Sequence, residues 1–182
     1  IIYPKYRFGQ HQSLQFGIWK LDIESKKKTL LTPHMRANYP QYSPDGSKIV
    51  FVAHENSTTQ LYTMNADGSD IKPLTMNQGD TQIITPMWRP DGQAIAFAQS
   101  DPDGLMDLHI MDLETGRVSQ ITDSHEGDFA PIWHPDGNKI SYTGLYDYTP
   151  NLYTYDLETG ETIQNTDIGD AVIGANWNFE TS

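Results

Sequence analysis

The tripeptide Pro-Asp-Gly occurs three times, at Pro44–Gly46, Pro90–Gly92 and Pro135–Gly137, at intervals of 46 and 45 residues. An aromatic residue stands two places before each proline (Tyr42, Trp88, Trp133), and another proline two places earlier (Pro40, Pro86, Pro131). After each Asp-Gly comes a short β-type run at Lys48–Phe51, Ala94–Phe97 and Lys139–Tyr142. A second run follows at Leu61–Met64, Leu108–Met111 and Leu152–Tyr155, leading into a glycine turn at Gly68, Gly116 or Gly160. A last strand is predicted to end in Thr75, Thr122 or Thr166. A fixed period of this length means that one supersecondary unit is repeated. Four short strands per unit, separated by Gly and Asp turns, describe a propeller blade. No helical periodicity of useful length interrupts the pattern.

The two ends extend it. Residues 1–32 carry the later three strands of a unit, at Lys5–Phe8, Ile18–Leu21 and Leu30–Thr32. The missing first strand stands at the far end, where Ala175–Glu180 imitates Pro131–Asp136 and Trp177 lies 44 residues after Trp133. The expected fold is therefore all-β: a β-propeller of four blades, each of four antiparallel strands. The C-terminal strand would close the ring by completing the N-terminal blade, which removes exposed edges. As one domain over residues 1–182, its blades would be 1–32 plus 171–182, then 33–75, 76–122 and 123–170. The alternative is four consecutive blades of a longer ring.

The unit resembles the TolB-like family of WD40-like propeller repeats, whose pattern runs aromatic-Ser-Pro-Asp-Gly, β-run, Leu-Tyr, Asp-Gly, Leu-Thr. The best copy is Tyr42–Gly46 through Leu61–Met64, Asp67-Gly68 and Leu74-Thr75. The resemblance covers nearly the whole chain. It implies a bacterial protein of the periplasm or exterior. It also leaves three kinds of role open: periplasmic scaffolds, non-catalytic domains of oligopeptidases, and polysaccharide lyases.

Charge removes other roles. Twelve Lys and Arg stand against 24 Asp and Glu, a net charge of -12. Nucleic-acid binding depends on cationic side chains that displace phosphate counterions, so no nucleic-acid partner is expected. No apolar run approaches the roughly 18 residues of a membrane span, so no membrane insertion is expected. The absence of cysteine excludes disulfides, thiolate metal sites and cysteine nucleophiles. The chain starts at Ile1 with no charged-then-apolar leader, and reads as a mature or trimmed product.

Within the repeat, Pro-Asp-Gly suits a tight turn, the tryptophans belong between blades, and Met64 and Met111 fill the core. Chemistry is expected on the face that carries the second-to-third strand loops and the inter-blade loops, since binding residues concentrate on loops held by a rigid scaffold. His34, Arg36, His125, Tyr146 and Tyr148 are the candidate ligand-binding residues there. The inter-blade loops also share Gly79-Asp80, Gly127-Asp128 and Gly169-Asp170. Three carboxylates converging at a channel mouth would hold a hard divalent cation, calcium or magnesium, with Asp80, Asp128 and Asp170 as metal ligands. Otherwise each Gly-Asp makes a turn with its carboxylate in water. Asp101, Asp103 and Asp107 form a fragment of a calcium loop, without the distal Glu that such a loop needs.

No serine elbow, glycine-rich phosphate loop or His-Glu-x-x-His helix occurs. The expected function is a non-catalytic binding module for a protein or peptide partner. The alternatives are a carbohydrate-binding or lyase-like protein, with Tyr146, Tyr148 and Phe129 stacking on sugar rings, and a propeller domain of an oligopeptidase.

Overall fold

The computed structural model describes residues 1–8, 14–100, 102–146, 148–167, 169 and 172. In chain order the strands are β1 (Ile2–Phe8), β2 (Leu14–Leu21), β3 (Lys28–Leu30), β4 (Arg36–Tyr42), β5 (Lys48–Glu55), β6 (Thr58–Asn65), β7 (Lys72–Pro73) and β8 (Ile83–Trp88). They continue as β9 (Ala94–Ser100), β10 (Met106–Asp112), β11 (Val118–Gln120), β12 (Asp128–Trp133), β13 (Lys139–Tyr146), β14 (Thr149–Asp156) and β15 (Thr162–Gln164). They form four antiparallel sheets in simple meander order: β1-β2-β3, β4-β5-β6-β7, β8-β9-β10-β11 and β12-β13-β14-β15. The all-β class and the blades of a propeller are as the repeat predicts. The first sheet has three strands, as residues 1–32 predict, and the segment expected to complete it, 171–182, lies outside the described residues apart from Val172. No helix among the described residues is long and apolar enough to cross a membrane.

Three devices in the repeat explain why these residues form these sheets. The first is the Pro-Asp-Gly turn. Gly46, Gly92 and Gly137 adopt φ of 72°, 74° and 74°, a region that a Cβ disfavours. The aspartate caps the turn from within: Asp45 accepts from the Ser47 amide at 3.0 Å, Asp91 from Gln93 at 2.9 Å and Asp136 from Asn138 at 2.8 Å. The Ser43 hydroxyl and then the Ser47 amide hold the Asp45 carboxyl down at about 2.

The second device is a bulge in the inner strand. Tyr39, Thr85 and Ala130 occupy the same register and have φ of 50°, 49° and 55°. The ladder slips between Asn38 and Gln41 in β4, and between Phe129 and Ile132 in β12. A proline follows each left-handed residue, and a bulge leaves a place where a missing N–H costs nothing. This explains the upstream prolines of the repeat. A β-branched residue at positive φ is strained, and the buried Thr85 hydroxyl also has no hydrogen-bond partner. Thr85→Gly is therefore expected to raise stability by about 1 kcal/mol, read from the urea midpoint at unchanged m-value. A fall in the midpoint would show that the threonine side chain contributes more by packing than it costs in strain.

The third device is a hydroxyl latch. The outer strands β7, β11 and β15 stop short of Thr75, Thr122 and Thr166, which the sequence pattern had placed in the strands. The threonines instead turn inward to the third strand. The hydroxyls of Thr32, Thr75, Thr122 and Thr166 each accept from a backbone amide at 2.9 Å, from Ile18, Leu61, Leu108 and Leu152 respectively. One backbone amide per blade, buried in three and half-buried in the fourth, is thereby satisfied where the outer strand ends.

The chain divides into two compact units, Ile1–Pro86 and Met87–Ser182, with the border inside β8. In the first, Ile18 and Leu31 pack with Ala37, Ile49, Phe51, Ala53, Tyr62 and Met64 in one buried cluster, with Tyr42 against it. The core therefore lies between two sheets, and interdigitated apolar side chains hold them together. In the second, Trp133 is buried near the end of β12 and donates its indole N–H to the Met87 carbonyl of β8 at 3.2 Å. The Arg89 guanidinium stands 5.9 Å from the Trp133 ring centroid and pairs with Asp91. The repeat tryptophan thus joins adjacent sheets, as its spacing predicts. Met64 and Met111 are buried core residues.

Candidate functional site

Backbone hydrogen bonds fix the loops that carry the candidate residues. In the first unit, the β5–β6 hairpin is tied to the loop that precedes β8. The Thr58 hydroxyl donates to the Thr81 carbonyl at 2.7 Å, and the Gln82 amide donates to the Ser57 carbonyl at 2.8 Å. Gln60 grips the same loop at Asn77, accepting its amide and donating to its carbonyl, both at 2.8 Å. In the second unit, the Leu145 amide donates to the Gly127 carbonyl at 3.0 Å, and the Tyr148 amide to the Glu126 carboxylate at 3.0 Å. Within each unit, hairpin loop and inter-blade loop therefore share a side, as the strand order requires.

The candidates fall into separate settings. His34 is exposed in the loop before β4, and Arg36 is exposed at the start of β4, cross-strand from His54. Burial, then the Arg36 charge, holds the His54 imidazole below its usual range. His125 is exposed in the loop before β12. Tyr146 packs its ring on Tyr153 with centroids 4.6 Å apart. Tyr148 is 88% exposed, at φ 57°. Among these, the second unit brings the loop of His125 beside Tyr148.

The Gly-Asp pairs do not share one geometry. Asp80 lies in an exposed turn ahead of β8. Asp128 is the first residue of β12 and is 0% exposed. Asp170 lies outside the described residues, as do Asp101 and Asp147. Among the described residues, no group of three His, Asp or Glu side chains is placed to hold a metal. Asp103 is exposed in a turn, whereas Asp107 is buried in β10 and serves the third-strand latch. It accepts from the Ser124 amide at 2.9 Å, the Gln120 amide at 3.2 Å and, at a long 3.5 Å, the Thr122 hydroxyl.

The feature that loop patterns did not reveal is the surroundings of Asp128. Neither of its carboxyl oxygens has a hydrogen bond of ordinary geometry. Burial pushes its pKa up to about 7. Proximity to the Thr122 hydroxyl opposes that rise, and the Asp107 charge adds to it. Across the ladder, Asp128 faces Gly144. A Cβ on Gly144 would stand 2.9 Å from Asp128 Oδ1 and 2.7 Å from the Tyr146 ring. The Tyr142 hydroxyl is buried without a hydrogen-bond partner of ordinary geometry. Its pKa is raised by burial first and by the Asp128 charge second, and Tyr146 is raised by the same two causes in that order.

The family model of the TolB beta propeller domain matches residues 78–182. Among curated relatives, the chain is 31% identical over 130 residues to the uncharacterized peptidase YuxL of Bacillus subtilis, which covers 69% of this chain and 18% of that protein. It is 30% identical over 142 residues to the uncharacterized protein Atu1656 of Agrobacterium fabrum, covering 72% of this chain and 48% of that one. The chain thus spans less than half of each. Among solved structures, TolB from Acinetobacter baumannii superimposes with a TM-score of 0.71 at 23% identity, over 90% of this chain and 40% of its own. That likeness is one of fold. The family model spans more than half of the chain, and the chain belongs to the TolB beta-propeller domain family.

Proposed function

We propose that this chain is a non-catalytic binding module that engages a protein or peptide partner through its tethered loops, in the bacterial periplasm or outside the cell. The observation that carries the reading is the setting of Tyr148. Its ring is almost fully exposed, while its own amide is anchored to Glu126 and its neighbour Tyr146 is packed on Tyr153. An aromatic presented on a fixed backbone loses little conformational freedom on binding, which is how interface hot spots work. His125, in the same loop as Glu126, supplies a polar neighbour. In the first unit, taken by itself, the exposed Arg36 offers a guanidinium suited to a carboxylate, with His34 in the loop just before it. The likeness to a peptidase of which the chain spans a small part supports a second form of the reading, in which the propeller belongs to a longer hydrolase and presents peptides to it.

Panning a peptide library against the full chain tests this. Peptides that bind the parent are expected to weaken at least ~10-fold against Tyr148→Ala, the loss of one hot-spot aromatic. Enrichment of no peptide, together with binding of acidic oligosaccharides on a glycan array that Tyr148→Ala removes, would replace the peptide reading by the carbohydrate one.

A further inference from the structure

The repeat allows each residue of the second unit to be compared with its own counterparts, and four departures coincide in space. Counting from the turn proline, Asp128 occupies the place of Ala37 and Ile83, both fully buried and apolar. Tyr142 occupies the place of Phe51 and Phe97 and adds a hydroxyl. Gly144 occupies the place of Ala53 and Gln99 and removes a side chain. Asp107 precedes the latched Leu108 where the neutral Gln60 and Asn151 precede Leu61 and Leu152. The first two put oxygen where other blades have carbon. The third clears the ground in front of Asp128, because a Cβ there would stand 2.9 Å from Oδ1. The fourth replaces a neutral amide by a carboxylate whose field reaches Asp128.

Turn formation does not account for this set, since Asp128 is in a strand and caps nothing. Nor does packing, since a buried carboxyl without partners is costly where alanine or isoleucine serves elsewhere. Two Asp128 oxygens and the Tyr142 hydroxyl are all buried without a hydrogen bond of ordinary geometry, and a cation set among them would satisfy them together. The atoms offered are all oxygen, which suits a hard ion over a soft one. We propose that these residues form a binding site for a hard divalent cation, calcium by preference, with Asp128 as the principal ligand and Asp107 as the second carboxylate. The bonds from Gln120, Thr122 and Ser124 fix the Asp107 carboxylate in orientation. Asp128 is thus retained from the sequence-level ligand set, with Asp107 as its companion. The inference is independent of the peptide-binding reading.

The test uses the full chain and two probes, calcium and terbium. Calcium in large excess over its dissociation constant is expected to raise the melting temperature by several degrees relative to EDTA, because it binds the folded state alone. Terbium in the same site is expected to show emission sensitised by Tyr142 and Tyr146 and displaced by calcium. Asp128→Ala, which restores the residue of the second blade, should abolish both signals. Asp107→Asn should weaken calcium binding at least ~10-fold while keeping the latch. Tyr148→Ala should leave both signals intact. Melts identical in calcium and EDTA, or a calcium shift that survives Asp128→Ala, would overturn the site. Should Asp128→Ala fail to fold, unchanged calcium affinity in Asp107→Asn overturns it instead.

Discussion

In EDTA, Asp128→Asn is expected to be more stable than the parent chain, by an amount that grows with pH. The folded-state pKa of Asp128 is raised to about 7 from an ordinary 3.8. Below 3.8 both folded and unfolded chains carry the proton, and its stabilising contribution is fully present. Between 3.8 and about 7 the unfolded chain has released the proton while the folded chain retains it, so stability falls as pH rises. Above about 7 the folded chain must bury the charge and the full loss has accrued. Each pH unit in that window is worth about 1.4 kcal/mol, so the gap between variant and parent should widen by about 3 kcal/mol from pH 5 to pH 8. The groups that face Asp128 are Asp107 from β10, Tyr142 and Tyr146 from β13 and the Thr122 hydroxyl; the first adds to the rise and the last opposes it. Urea melts of both proteins across this range measure the difference directly, and other titrations cancel between them. A gap that stays constant with pH would mean that Asp128 is ionised in the folded chain throughout.

Thr75→Val is expected to destabilise the chain by about 3 kcal/mol, whereas Thr75→Ser should cost under about 1 kcal/mol. The substitution preserves volume and removes one hydroxyl, yet it breaks two bonds. Thr75 Oγ1 accepts from the Leu61 amide at 2.9 Å and donates to Gln60 Oε1 at 2.7 Å. Gln60 in turn holds the loop that leads to β8 through Asn77. Valine would leave a buried amide unsatisfied and loosen that grip. A serine variant that melts below the valine variant would show that the methyl group, not the hydroxyl, is what this position requires.

Much of this architecture was legible in the chain. Pro-Asp-Gly fixes where strands turn, because glycine accepts without strain a backbone angle that a Cβ disfavours, and aspartate caps it locally. Short apolar runs then place Ile49, Phe51 and Ile140 in the core, and the tryptophan spacing sets where adjacent sheets join. The latch was visible only as recurring threonines; that they leave the strand to bind an amide depends on where the outer strand stops. The bulge was visible only as recurring prolines. Its cause, a left-handed residue before each one, lies in how the inner strand pairs.

The site was read less completely, and for a physical reason. Gly79-Asp80 and Gly127-Asp128 look alike in sequence, but Asp80 lies 10 residues before its turn proline and Asp128 only seven. That difference moves one carboxylate from an exposed turn into a buried strand. Spacing along the chain therefore determined the period, the turns, the class of fold and the loops that a scaffold would present. What that offset means for each carboxylate, water for Asp80 and a dry strand for Asp128, emerged only from where the inner strand begins and what packs on it. Burial, desolvation and the field of Asp107 come from other strands, and no local motif records them.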